Sequence, residues 1–473
     1  MGFYDFQFGF LGTLCACLQI FEHYYARLSK PKANATTANA SRDVAFSALM
    51  RKYLAVYGLV MSADWLQGPY AYSLYAEQYA YTERVISYFF ITGFLSGGLF
   101  APLMGSWADQ YGRKRMCQMF CVLYAGSCVF LQFSWLPSIL LARILGGIAT
   151  SILFSVFESW LVSSHSEAGL SGEDLSTILG RATVLNGFVA TVAGVFANKL
   201  VDVTGQSFRA PFVASALVLV IAGIVLSSTW HENYGAVNNR GSDDNLQLAR
   251  LYAATRVVLQ DPTLLILCLT QTIFEGSMYL FVFIWVPTLQ ESSTHPNDLP
   301  LGYIFSNFMV SVMLGSLLYT FITVHWCKTS KHDSLALHVT LSSLLCGVSA
   351  LVFAICVNTG KGRDSVREST RFWAFCAFEA CVGMYYPVQG ALRGSLIANE
   401  HRATLSALFR VPLNIFVVVA LATGFSHARE MVLFACSLLL AFSAITSAAV
   451  LLPRIENTAP ASSHMPLPQH NPE

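Results

Sequence analysis

Residues 105–115 read Gly105-Ser106-Trp107-Ala108-Asp109-Gln110-Tyr111-Gly112-Arg113-Lys114-Arg115. The glycines permit a tight turn and a close approach of helices. Asp109 sits where it can cap the next helix or face another helix's positive end. Arg113, Lys114 and Arg115 would pin such a turn to the cytoplasmic surface of a membrane. The plainer alternative is an ordinary positive-inside loop with an incidental acid. The surroundings of the stretch decide between the two.

Those surroundings are apolar. Of 473 residues, 55% are hydrophobic and only 12% charged, where a soluble chain carries roughly 25% charged residues. The apolar residues come in runs near 20 residues rather than in amphipathic stripes, long enough to cross a hydrocarbon core of about 30 Å as helices. Twelve core spans are expected, at about 53–75, 84–108, 116–135, 138–161, 178–200, 210–229, 264–287, 302–324, 335–357, 371–395, 404–425 and 430–452, with an extra apolar stretch in front at 3–22. The quoted turn then falls between the second and third spans. The longest polar interruption, about 230–260, holds Asn238-Asn239-Arg240, Asp243-Asp244 and Arg250, and divides the spans six and six. The expected fold is therefore an all-α polytopic membrane protein. It has a front helix and loop (1–52), a six-helix half (53–229), a central loop (230–260), a second six-helix half (261–452) and a disordered tail (453–473). Two such halves imply a duplicated transporter with its site at their interface.

Lys and Arg in the loops set the orientation. Placing Arg113-Lys114-Arg115, Lys328 and Lys331, and Arg393 and Arg402 in the cytoplasm also puts Arg27, Lys30, Lys32, Arg42, Arg51 and Lys52 there, with the central loop. One loop dissents: 358–371 carries Lys361, Arg363, Arg367 and Arg371 yet falls outside. A cleaved signal peptide at 3–22 would leave the basic 26–52 segment outside, so an uncleaved extra span with an external N-terminus is preferred. The sequons at Asn34 and Asn39 would then lie on the cytoplasmic side and stay unused. The net charge of +1 and the lack of a basic stripe argue against a nucleic-acid partner. The scattered cysteines, among them Cys121, Cys128, Cys346 and Cys376, have no metal-ligand or redox spacing and read as packing residues. Neither metal nor cofactor is expected.

In this six-plus-six setting the 105–115 stretch resembles the signature loop of the major facilitator superfamily. There the element is implicated in the inward–outward switch, which the resemblance carries onto Gly105, Asp109, Gly112, Arg113 and Lys114. Arg143-Ile144-Leu145-Gly146-Gly147 in span four resembles the superfamily's Arg-and-glycine motif. The matching loop of the second half, 325–333, keeps only positive charge. More specific segments are Ala63-Asp64-Trp65-Leu66-Gln67-Gly68-Pro69-Tyr70, Phe157-Glu158-Ser159-Trp160, Phe274-Glu275 through Phe283-Ile284-Trp285-Val286-Pro287-Thr288, Gly383-Met384-Tyr385-Tyr386-Pro387 and Phe409-Arg410-Val411-Pro412. In order and spacing these resemble the eukaryotic molybdate-anion transporter family over nearly the whole chain, departing mainly in the central loop and tail. The resemblance implies molybdate uptake at the cell membrane by a multi-pass protein, with the monomer usual for the fold. Nothing in the hydropathy itself names molybdenum.

Ionisable residues inside spans cost roughly 2.5–3.5 kcal/mol each on insertion, so each is a functional candidate. They fall in corresponding pairs: Asp64 in span one with Glu275 in span seven, Arg143 in span four with Glu379 in span ten, Arg181 in span five with Arg410 in span eleven. A divalent oxyanion needs positive charge and several donors, which Arg supplies as a fork. Helix ends freed at Gly68-Pro69, Pro287 and Pro412 would add donors. Ionised carboxylates would repel the anion, but a buried acid favours its neutral form and can carry a proton. The expectation is that Arg143, with Arg410 or Arg181, meets the anion while Glu275, Asp64 or Glu379 handles a coupled proton. Blander roles remain open. Glu158 and Arg181 can pair near the surface, Arg410 can anchor a helix end, and Asp64 can bond a broken helix. Tyr70, Tyr72, Trp285, Tyr385 and Tyr386 can be packing or interfacial belt, although an aromatic lining with acids would also suit a sugar or nucleoside. An enzyme is not expected, for the chain lacks a nucleophile elbow, a zincin pair and a P-loop. A non-transporting sensor on the same fold is the third class.

Overall fold

The structure is a computed structural model that describes residues 2–29, 39–234, 255–256, 258–326, 331–357, 367–397, 402–422 and 429–457. The central loop with Asn238, Asp243 and Arg250, the Asn34 sequon, Lys328, Lys361, Arg363 and the tail beyond 457 lie outside the described residues. Among those described there are helices and no strand.

The front helix is Phe3–Ser29. Span one is Asn39–Gln67, prolonged by a 3-10 turn Gly68–Tyr70, a turn Ala71–Ser73 and a π-turn Leu74–Gln78. Its helix starts well before the 53 marked by hydropathy, because a helix runs on through polar residues once it leaves lipid. Spans two and three are Glu83–Tyr111 and Arg113–Phe130. Span four is broken into Leu136–Leu153 and Val156–Glu167. Spans five to seven are Gly172–Val203, Ala210–Thr229 and Pro262–Ser292. Spans eight to eleven are Leu301–Trp326, Lys331–Cys356, Glu368–Leu396 and Arg402–Ala422. Span twelve is Arg429–Thr446 with a π-turn Ser447–Leu451.

Nine helices among the described residues are long and apolar enough to cross a membrane by composition alone. Span three, with its three leading bases, and span ten, with Arg371, Glu379 and Arg393, are not among them. Those charged residues bring the average over each helix down, which hides the span from a reading by composition alone.

The packing repeats. Span one lies on five and six, two on four, and three on four and six; in the second half seven lies on eleven and twelve, eight on ten, and nine on ten and twelve. Adding six to each number of the first set gives the second. The halves meet chiefly through five on eight and two on eleven, which the same relation exchanges. The front helix breaks the symmetry by packing along span eight, its Leu11 and Cys15 buried against Val310. Its Tyr4 hydroxyl also donates to Glu368.

Spans eight and ten touch backbone to backbone. A Cβ at Gly315 would strike the Ala380 carbonyl, and one at Gly383 the Val312 carbonyl. A Cβ at Gly105 would meet open space, so this glycine makes none of the close approach expected of it. Gly315→Ala should therefore cost about 1–3 kcal/mol of overpacking, outweighing the roughly 1 kcal/mol gained in helix propensity. Gly105→Ala should cost nothing. Melting of the two purified variants in detergent checks this contrast.

Candidate functional site

Arg143 sits on Leu136–Leu153, half-buried in the bundle. Its Nε donates to the Phe89 carbonyl at 3.1 Å and its guanidinium lies 5.3 Å from the centre of the Phe90 ring. Gly93 makes the room, for a Cβ there would stand 2.6 Å from Nη2. Among the described residues no carboxylate comes within ion-pair distance of Arg143. One carbonyl, one ring face and the Tyr75 phenol oxygen leave most of its five donors uncommitted.

Asp64 accepts a 2.5 Å hydrogen bond from the Tyr124 hydroxyl, and Arg143 lies within electrostatic reach of the same phenol. The fold thus brings Asp64 and Arg143 to one cluster, joined by a tyrosine of span three that hydropathy does not mark. Glu275 accepts from Tyr385 at 3.3 Å, with Arg393 and Arg410 in electrostatic reach. An aromatic layer lies between the clusters. Phe94 of span two stacks on Tyr279 of span seven at 5.1 Å and 12°, Phe90 meets Phe283 edge-on at 5.2 Å, and Tyr72 meets Phe283 at 5.8 Å.

The other candidates stand apart. Glu379 is buried on span ten, with no ion pair or hydrogen bond among the described residues; only Tyr386 lies in reach of both it and Glu275. Arg181 is exposed and its nearest polar contact is the Met50 sulfur at 2.8 Å. It makes no pair with Glu158, which instead lines a cleft of about 540 Å³ with Arg113.

The 105–115 turn is built differently from the expectation. Gly112 has φ +105°, a conformation that costs a side chain dear. Asp109 does not cap the next helix; it pairs with Arg113 at 2.8 Å. The cap comes from Glu232, beyond span six, whose carboxylate accepts from the backbone N–H groups of Lys114 at 2.7 Å and Arg115 at 3.2 Å. A helix N-terminus with free N–H groups attracts an anion whichever segment supplies it, and sequence proximity favoured the wrong acid.

The opposite end carries charge across the halves. Arg429 of span twelve pairs with Glu83 of span two and lies 3.6 Å from Glu291. Arg371, fully buried, bonds Glu430 at 3.0 Å, the Thr288 carbonyl at 2.7 Å and Glu291 at 3.7 Å. Gln290 donates to Glu77 at 2.9 Å. The dissenting loop charge Arg371 is thus an interior group with acid partners, so it carries little topological weight. At the Arg113 end the ion pairs among the described residues, Asp109 with Arg113, Glu232 with Arg115, Arg42 with Asp174 and Glu167 with His231, all stay within the first half. The halves are bound together at the Glu83 end.

A family model described as sugar transporters with twelve transmembrane segments matches residues 4–371. The molybdate-anion transporter of Xenopus tropicalis is 32% identical over 397 residues, covering 83% of this chain and 82% of that one. That of Takifugu rubripes is 30% identical over 432 residues, covering 88% and 86%. The chain belongs to the molybdate-anion transporter family of the major facilitator superfamily. It is a multi-pass membrane protein and a secondary transporter, not an enzyme. Solved structures similar to this transporter include the nucleoside transporter NupG (TM-score 0.60, 12% identity, 86% of this chain and 98% of that one) and the xylose transporter XylE from E. coli (0.61, 10%, 86% and 98%). At those identities they show the fold alone.

If the Glu83–Arg429 pair holds that end of the transporter shut, Arg429→Ala should raise labelling of a cysteine placed at Gln290 by an impermeant maleimide several-fold. About 1.4 kcal/mol lost from the closed state shifts its population tenfold.

Proposed function

We propose that this transporter carries molybdate into the cell across the cell membrane by alternating access, with Arg143 as the principal anion contact. The observation that supports the reading is an intramembrane arginine without an acid partner. Leaving a cation uncompensated in a low-dielectric interior is costly, and a divalent oxyanion both answers the charge and accepts from a guanidinium fork. The names of the curated relatives supply molybdate as the oxyanion.

Arg410 and Arg393, beside Glu275, form a second positive pole beyond the aromatic layer. In this reading Glu275 and Asp64 are the acids placed to exchange a coupled proton, since each accepts from a tyrosine, and Glu275 also has Arg393 and Arg410 in electrostatic reach. Glu379 is remote from the anion path and serves at most as a secondary acid, and Arg181 is a peripheral helix-end cation. The turn with Gly105, Asp109, Gly112, Arg113 and Lys114 is the switch, at the cytoplasmic end. The bound Glu83 end is then external and the state inward-facing. The transporter acts as a monomer.

A second reading has its own support. The aromatic layer of Tyr72, Phe90, Phe94, Tyr279 and Phe283 would suit a sugar or nucleoside, and the matching family model is described by sugars. Molybdenum uptake at nanomolar external molybdate separates the two. Expressed in molybdate-starved cells, the wild type should accumulate molybdenum above an empty vector even in excess sulfate. Arg143→Ala should fall to the vector level with undiminished surface expression. No wild-type uptake despite surface expression would favour the organic solute.

A further inference from the structure

Span one does not end as a regular helix. After the Gly68-Pro69 break it closes in a π-turn, Leu74–Gln78, and π-turns inside helices are frequent at functional sites. This turn aims Tyr75 at Arg143. The Tyr75 ring rests on Phe89 with centroids 5.1 Å apart, and the Phe89 carbonyl is the one that takes Arg143 Nε. The phenol oxygen lies within electrostatic reach of the guanidinium. Yet Tyr75 is fully buried and its hydroxyl donates to no acceptor among the described residues. Arginine has donors only, so it serves the acceptor side of the phenol and leaves the Tyr75 proton without an acceptor. Buried hydroxyls are nearly always satisfied, so an unsatisfied one beside an unpaired arginine calls for an acceptor brought in from outside.

We propose that the Tyr75 hydroxyl is the second donor of the anion site, giving a hydrogen bond to the oxyanion that Arg143 holds. The inference rests on the anion reading of Arg143 above. A fully deprotonated oxyanion offers acceptors only, so a donor from Tyr75 adds to the charge of Arg143 and favours it over a ligand that presents its own hydroxyl. Tyr75 is a specificity-determining residue on the first half, and its recognition is separate from the proton-carrying acids.

The test is molybdate uptake kinetics in Tyr75→Phe, with Tyr81→Phe as the control; the Tyr81 hydroxyl already donates to the Ser134 carbonyl at 2.7 Å. Tyr75→Phe should raise KM for molybdate about tenfold, the loss of one good hydrogen bond to an ion, with surface level and maximal rate retained. Its melting temperature in detergent should stay close to that of the wild type, because the proton lost with the hydroxyl has no acceptor in the resting protein. Tyr81→Phe should leave KM unchanged. An unchanged KM in Tyr75→Phe, or a fall in its melting temperature, overturns the inference while wild-type uptake leaves the anion reading standing. Absence of molybdate uptake in the wild type overturns the anion reading itself, and this inference with it.

Discussion

An arginine held inside a membrane bundle has given up water and must be answered by something else. Most buried cations are answered by acids, as Arg371 is by Glu430 and Glu291. Arg143 is answered by a carbonyl, a ring face and a neutral phenol, which is too little for a permanent charge in low dielectric. The surrounding structure maintains that imbalance. Gly93 clears the space, the break in span one delivers Tyr75, and Tyr124 occupies Asp64 with its own hydroxyl. In the proposed reading, a site kept short of negative charge is one prepared for an anion.

The two ends of the molecule divide the conformational work. At the Glu83 end one ion pair, Glu83 with Arg429, crosses between the halves, so separating them there means rehydrating those two groups. At the Arg113 end the described pairs stay within the first half, and Glu232 ties the signature turn to the segment after span six. Motion of the halves therefore need not break the turn; it carries the turn as a unit. The repeated contacts, in which five on eight mirrors eleven on two, supply the pseudo-symmetric surface over which such rocking takes place.

Much of this was legible before any coordinates. Apolar runs, the six-plus-six division and the 105–115 stretch carry the fold because membrane insertion acts on local composition. Arg143, Asp64 and Glu275 stood out because a charge within an apolar run is visible in one dimension. Tyr75 and Tyr124 did not, since a tyrosine in a span looks the same whether it packs or donates. Glu232 and Arg371 were hidden for another reason. Each acts on a helix distant in sequence, and a loop charge and a buried network charge read alike until the partners are placed. Span three and span ten were read from their apolar runs even though their charged residues lower the average over each helix.

The central claim, that Arg143 holds the anion, is most directly tested by binding without flux. Purified wild type and Arg143→Ala are melted in detergent over a titration of molybdate, since a ligand at a hundred times its Kd stabilises the folded state by about 2.7 kcal/mol. The account predicts a melting temperature that climbs with molybdate in the wild type and stays flat in Arg143→Ala. An equal climb in both proteins would contradict it and place the anion elsewhere.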